Sequence, residues 1–172
     1  KLMNRKHTIE EYLKVYENLK SINPKIEFSS DFIIGYPDEN EEDFKKTMEL
    51  IEKVKFTNSY SFIFSPRPGT VAAELKLVDP KKSKGRLEII QKKLFKNQIK
   101  RNKSLEGKVL NVLVENKMKD GIKLFGRTEY MTSVIFDGNI GCIGKIVQVE
   151  ITSSNQNSLF GKLQESIKKK VA

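Results

Sequence analysis

Two apolar runs flanking one helix-length segment constrain this chain more than any other feature. Ile26 to Tyr36 reads as a strand whose centre, Phe32-Ile33-Ile34, is continuously apolar, and "SYSFIFS", Ser59 to Ser65, reads as a second. Between them Asn40 stands as a helix N-cap, and Glu41, Glu42 and Asp43 fill the first turn, where carboxylates meet the positive end of the helix dipole. Phe44, Met48, Leu50, Ile51 and Val54 supply an apolar face. Strand, helix and strand within about 40 residues make a βαβ unit, with parallel strands and a right-handed crossover. The unbroken apolar centre of the first strand predicts a sheet covered on both faces.

The flanking segments follow from local signals. Thr8-Ile9-Glu10-Glu11 is a capping-box pattern. Ile9, Tyr12, Leu13, Tyr16 and Leu19, with Ile22 as a further candidate, continue it at helical spacing until Asn23-Pro24 stops the helix. After the second strand, Pro66-Arg67-Pro68-Gly69-Thr70 is a rigid turn. Pro80 opens a helix reaching Lys103, with Leu87, Ile90, Leu94 and the further candidate Ile99 facing inward. Lys92, Lys93, Lys96, Lys100 and Lys103 would face outward.

Beyond Leu105-Glu106-Gly107 the period changes from helical to alternating. "KVLNVLVE", "KLFGRT", "SVIF", "KIVQVEIT" and "LFGKL" are short β-rich runs between glycine turns, which predicts a small antiparallel barrel. The fold class is therefore α/β followed by all-β. Residues 1–103 form the first part, 104–166 the barrel, and 167–172 a frayed basic tail around Lys168-Lys169-Lys170. No internal repeat is evident.

Composition narrows the function. The 172 residues are 38% hydrophobic, enough for one ordinary core or two small ones. No apolar run approaches the roughly 20 residues that span a bilayer, so no membrane partner is expected. Cys142 is the only cysteine and His7 the only histidine, which disfavours a zinc or iron–sulfur site built within the chain. A reducing, cytoplasmic setting is the default. The formal net charge is +10, and it is concentrated: residues 80–103 carry ten basic side chains and one acidic. That favours a polyanionic partner, nucleic acid first; the alternative is a solvated lysine-rich helix.

Ligands of parallel α/β folds bind beyond the carboxyl ends of the strands. Two loops occupy such positions here, Gly35 to Glu39 and Pro66 to Thr70. Gly35 would let a ligand approach the backbone closely. Asp38 and Glu39 lie in the loop itself and are ligand candidates, whereas the acids at 41–43 serve the helix terminus. Arg67, held between prolines, could grip a carboxylate or phosphate or pair with a nearby surface acid. Cys142 sits among apolar neighbours and reads as a small filler. His7 has no local catalytic partner, and no P-loop or metal-spaced His/Asp set occurs.

Four segments together carry a resemblance: "MNRKHTIEEY", "SSDFIIGYPDENEEDF", "SYSFIFSPRPGTVAA" and "GRTEYMTSV". In this order the chain resembles the C-terminal part of MiaB-type tRNA methylthiotransferases of the radical S-adenosylmethionine family. The resemblance implies the end of a partial (β/α) barrel followed by a TRAM β-barrel that binds RNA. It implies methylthiolation at C2 of N6-isopentenyl-adenosine beside the anticodon, with S-adenosylmethionine and two 4Fe–4S clusters as cofactors. The implied partners are a tRNA anticodon stem-loop, an electron donor and a sulfur source. The family's Cys-x3-Cys-x2-Cys motif is absent, so the chain is expected to hold no cluster and to be inactive alone.

By position, the resemblance assigns Ile33 and Gly35 to the strand end beside the adenine, with Asp31 and Glu39 as polar positions of the same motif. Arg5, Arg67 and Thr70 match polar positions near the cofactor or substrate. Gly126, Arg127 and Thr128 match the TRAM tripeptide. RNA contact is expected from Lys92, Lys96, Lys100, Arg127 and Thr128, with Phe125 and Tyr130 either stacking on bases or serving the core. Asp38 stands where the family usually has glycine, a departure that could change the loop's backbone angles. "SSDFI" with "SYSFIFSPRPGT" favours the isopentenyl-adenosine type. The alternatives are a non-catalytic RNA-binding module, or relatives acting on threonylcarbamoyl-adenosine or a ribosomal protein.

Overall fold

A computed structural model describes Met3 and residues 5–119 and 121–164. It divides into two compact units, and the division falls in sequence between Asn97 and Gln98. The expected basic tail lies outside the described residues.

In the first unit, α1 (Ile9–Ile22) begins with the capping box that its sequence announces. Glu11 N–H donates to Thr8 Oγ1 and Thr8 N–H to Glu11 Oε2. β1 (Asp31–Ile34) and β2 (Tyr60–Ile63) pair in parallel, Asp31 opposite Tyr60 and Ile33 opposite Phe62. Between them runs α2 (Glu41–Val54), capped reciprocally by Asn40 and Asp43. A short α3 (Val71–Glu74) precedes α4 (Pro80–Lys103). Phe32, Ile34, Ile51, Val54, Phe56, Ile90 and Leu94 form the buried core, with Tyr12, Leu13 and Tyr16 of α1 packed on its edge.

Several expectations change here. The strands are shorter than the apolar runs, because beyond their ends pairing continues only at isolated bonds. Thr57 N–H donates to the Phe28 carbonyl and Phe64 N–H to that of Ile34. The sheet is covered on one face, not two. Phe32 and Ile34 are buried, but Ile33, Tyr60 and Phe62 are 41%, 66% and 53% exposed. Ile9 and Ile22 are also exposed, so the apolar stripe of α1 reaches the core only through its middle. On α4, Ile99 is exposed, whereas Ser83 and Arg86 take buried inner positions. Lys93 is drawn from the outer face into an ion pair with Glu52 of α2.

The second unit is a closed barrel of β3 (Val109–Lys117), β4 (Lys123–Thr128), β5 (Ser133–Asp137), β6 (Ile146–Ser154) and β7 (Ser158–Leu163). Its ring order is β3-β4-β5-β7-β6. The five β-rich runs are all strands, but the barrel is not wholly antiparallel: β5 and β7 pair in parallel. Closure requires this, since directions can alternate all the way round a ring only when the number of strands is even. Val112, Val114, Leu124, Val134, Phe136, Val149, Ile151 and Leu159 fill the interior. Within this unit, which begins at Gln98, buried Asn102 donates through Nδ2 to the carbonyls of Asn155 and Gln156.

The barrel also contains a repeat that the sequence hides. Leu124-Phe125-Gly126-Arg127 of β4 and Leu159-Phe160-Gly161-Lys162 of β7 sit in equivalent hairpins, each opposite a bulged strand. A Cβ on Gly126 would lie 2.4 Å from the Leu113 carbonyl oxygen, and one on Gly161 2.4 Å from that of Glu150. Both glycines are therefore required by the close approach of the facing strand. Little beyond Leu-Phe-Gly and the alternation is shared, too short a signal to show as a repeat.

Candidate functional site

The loop after β1 is built around a buried ion pair. Gly35 has φ +72°, the left-handed region that favours glycine. Its N–H donates to Glu39 Oε2 at 3.0 Å. A Cβ here would lie 2.4 Å from Ser83 Oγ, so the close approach expected of a ligand is made by α4. Glu39 Oε1 accepts from Arg86 Nη1 at 2.6 Å, and the same nitrogen donates to the Glu39 carbonyl at 3.0 Å. The Arg86 and Glu39 side chains are only 4% and 10% exposed. The Arg86 guanidinium also lies 5.2 Å from the centre of the Phe44 ring.

Arg86 extends the network outward. Its Nη2 donates to Glu41 Oε1 at 2.8 Å, and Lys82 Nζ reaches the same oxygen at 2.7 Å. Hydrogen bonds from Lys82 and then Arg86 hold the Glu41 carboxyl below its ordinary range. The acids behind Gly35 thus have different tasks: Asp43 caps α2, Glu42 pairs with Lys46, and Glu39 and Glu41 neutralise α4. Both Glu39 oxygens are committed to protein groups. Arg86 was missed by sequence reasoning. Its signal is position: it is the first arginine of a lysine-rich helix, and it stands four residues before buried Ile90. Asp38 adopts φ +65°, in the left-handed region that Asp and Asn enter more readily than other residues bearing a Cβ.

The loop after β2 is closed by Thr70. Its Oγ1 donates to the Arg67 carbonyl at 2.8 Å, and its N–H donates to the same oxygen. Thr70 is thereby a turn lock. Arg67 is exposed, and among the described residues no acidic side chain pairs with it. Arg5 is likewise exposed. Asp31 and Ile33 lie on the open face of the sheet, in register with Tyr60 and Phe62, whose rings stack 6.5 Å apart. The structure brings Asp31 and Ile33 together on that face, and turns Gly35 and Glu39 toward α4.

On the barrel, the three residues of the Gly126-Arg127-Thr128 tripeptide do different work. Gly126 permits close strand packing. Thr128 is buried, and its Oγ1 accepts from the N–H groups of Tyr130 and Thr132. Thr128 thus holds the β4–β5 turn. Arg127 points outward, over the Phe125 ring at 5.6 Å and beside Glu115, with Nε 3.2 Å from Oε1. Phe125 is therefore an outer-face residue. It continues across the sheet through Ile135 to Phe160. Lys92, Lys96 and Lys100 are all exposed at four-residue spacing.

Cys142 is half-buried against the barrel core. Among the described residues no group of three or more His, Cys, Asp or Glu side chains converges on a metal-sized site. An iron–sulfur cluster needs several thiolates, so the residues present do not fit one. No helix among the described residues is long and apolar enough to cross a membrane.

Comparison with known proteins matches both units. Residues 1–51 match the radical SAM superfamily and residues 103–163 the TRAM domain. A Pelagibacter ubique (strain HTCC1062) protein named tRNA-2-methylthio-N(6)-dimethylallyladenosine synthase is 86% identical over 171 residues, covering 99% of this chain and 38% of that protein. Proteins of the same name from Anaplasma phagocytophilum (strain HZ) and Ruthia magnifica are each 47% identical, over 92% and 95% of this chain and 37% of their own lengths. The chain thus spans about two fifths of the length of these curated relatives. With a radical SAM segment and a TRAM barrel in the same order, it belongs to the MiaB-type methylthiotransferase family, as the C-terminal part of such a protein.

Proposed function

We propose that the chain is the tRNA-binding and cofactor-flanking part of an enzyme that adds a methylthio group to C2 of N6-dimethylallyl-adenosine beside the anticodon. The observation that carries this reading is the coupling, on one chain, of an open apolar sheet face with the exposed Arg67 and a separate RNA-type barrel. The open face fits the adenosyl group of S-adenosylmethionine. Ile33 and Phe62 offer a flat apolar surface to a purine, and Asp31 offers a carboxylate at its edge. When bound, S-adenosylmethionine supplies the radical chemistry that an inert C–H bond requires. No residue of this chain ligates a cluster in this reading, and its electron donor and sulfur source act on the remainder of the enzyme.

The chain's own residues bind and orient. Arg67 holds an anionic group of the substrate or cofactor at the rim of β2. The Arg86–Glu39 pair keeps the Gly35 loop in one conformation. The barrel and the lysines of α4 hold tRNA phosphates. Basic side chains on phosphates release counterions, so affinity falls steeply with salt.

The test is an anisotropy titration of an anticodon stem-loop at two salt concentrations. Reversal of Lys92, Lys96 and Lys100 to glutamate should weaken binding to any RNA sequence. It should also flatten the slope of log affinity against log salt by about one for each lysine that held a phosphate. Unchanged affinity and slope would reduce the lysines to a solvated helix face.

A further inference from the structure

The barrel unit holds a cleft that the proposed function leaves without a ligand, lined in part by Thr128 and Tyr130, both already candidates for RNA contact. It encloses roughly 240 Å³ and is lined by the last turn of α4, the start of β3, Gln148 near the start of β6 and the β4–β5 turn. Tyr130 forms one wall. The hydroxyl of Thr128 accepts from the Tyr130 N–H and so fixes that turn, and the Arg101 guanidinium lies 5.7 Å from the ring centre. Asn111 and Gln148 form another wall. They are direct cross-strand partners, both exposed, and among the described residues neither amide has a hydrogen-bond partner. Leu105 and Leu110 give the cleft an apolar side.

Resting on the RNA reading above, we propose that this cleft takes one unpaired RNA base, stacked on Tyr130 and read along its edge by Asn111 and Gln148. Two adjacent amides present donors and acceptors side by side, the pattern that matches the hydrogen-bonding edge of a base. An aromatic ring with a guanidinium beside it is a stacking platform for an unstacked base. Glu129 also lines the cleft. Its carboxylate repels a phosphate and accepts from an exocyclic amino group, so the base enters and the backbone stays outside. RNA sequences read in this way are single-stranded, since a paired base has its edge occupied.

The experiment compares three probes on the full chain. They are a labelled single-stranded heptamer of RNA, the same heptamer with its central base removed, and free AMP. Asn111→Ala/Gln148→Ala should weaken the intact heptamer about tenfold, the low end for removing bidentate base recognition, and leave the abasic one unchanged. Tyr130→Leu should do the same by loss of stacking, about tenfold or more. Tyr130→Phe should retain affinity. Melting temperatures within a degree or two of the parent keep folding out of the comparison, and the two variants alter different walls. Parent affinity in both the amide and the Tyr130→Leu variants overturns the cleft while leaving RNA binding intact. AMP binding as tight as the heptamer assigns the cleft to a free nucleotide and overturns the RNA assignment. A parent that binds no RNA overturns the RNA reading and the cleft with it.

Discussion

Removing the guanidinium of Arg86 is the sharpest test of how the Gly35 loop is held. In Arg86→Met, Glu39 Oε1 loses its partner at 2.6 Å, and the Glu39 carbonyl loses a donor at 3.0 Å. The carboxylate then remains 10% exposed with one neutral donor, the Gly35 N–H. Breaking a buried pair by removing one partner costs about 3–5 kcal/mol, because a desolvated charge is left behind. The bond to Glu41 adds little, since that side chain is 71% exposed. Arg86 Nε is itself buried without an acceptor, so its removal returns about 1 kcal/mol. The net expectation is a loss of about 2–4 kcal/mol. Urea unfolding followed by circular dichroism at the helix band reports it, because α1, α2 and α4 carry most of the helix. In a double-mutant cycle with Glu39→Gln, the double variant should lose at least about 1 kcal/mol less than the sum of the singles. Additive losses, or single losses under about 0.5 kcal/mol, would refute the pair as the element that holds the loop.

Three further outcomes follow from the same geometry. Gly35→Ala should cost more than about 1–2 kcal/mol in the same unfolding assay, since the left-handed backbone is strained for alanine and its Cβ meets Ser83 Oγ at 2.4 Å. The Glu41 carboxyl is held low in the folded chain, so its stabilising effect is present above the unfolded carboxylate range, near pH 4.3. That effect is lost as pH falls through the lower folded value, and the melting temperatures of the parent and Glu41→Gln should converge in acid. Arg67→Ala in the full-length enzyme should slow single-turnover methylthiolation by the equivalent of about 1.5–3 kcal/mol with an unchanged melting temperature, as befits an exposed cation with no acidic partner among the described residues.

Local signals were legible because they act over a few residues. The capping box at Thr8, the N-cap at Asn40 and the five β-rich runs all stand where their residue patterns place them. What escaped were pairings between distant residues. The Arg86–Glu39 pair joins positions 47 apart, and nothing near either residue announces the other. The Phe32-Ile33-Ile34 run suggested two covered faces, but only period-two burial, with Ile33 outward, appears in this sheet. Ring order and the parallel β5–β7 pairing are decided by closure, a property of the whole barrel. Among the site residues, Arg67 and Arg127 were singled out as cations by the sequence, and the structure leaves Arg67 exposed and Arg127 half-buried beside Glu115. Thr70 and Thr128 looked alike as polar motif positions; in the structure the Thr70 hydroxyl donates within its turn, and that of Thr128 accepts within another.

The central claim is that this chain completes a methylthiotransferase acting on dimethylallyl-adenosine in tRNA. The most direct measurement replaces the corresponding two fifths of the Pelagibacter ubique relative by this chain. The chimaera is expressed in a bacterium lacking its own methylthiotransferase, and the tRNA nucleosides are quantified by mass spectrometry. The expected result is that 2-methylthio-N6-dimethylallyl-adenosine returns to the level given by the intact relative, while N6-dimethylallyl-adenosine falls correspondingly. A stably accumulated chimaera that leaves all of the dimethylallyl-adenosine unthiolated, beside an intact relative that converts it, would contradict the claim.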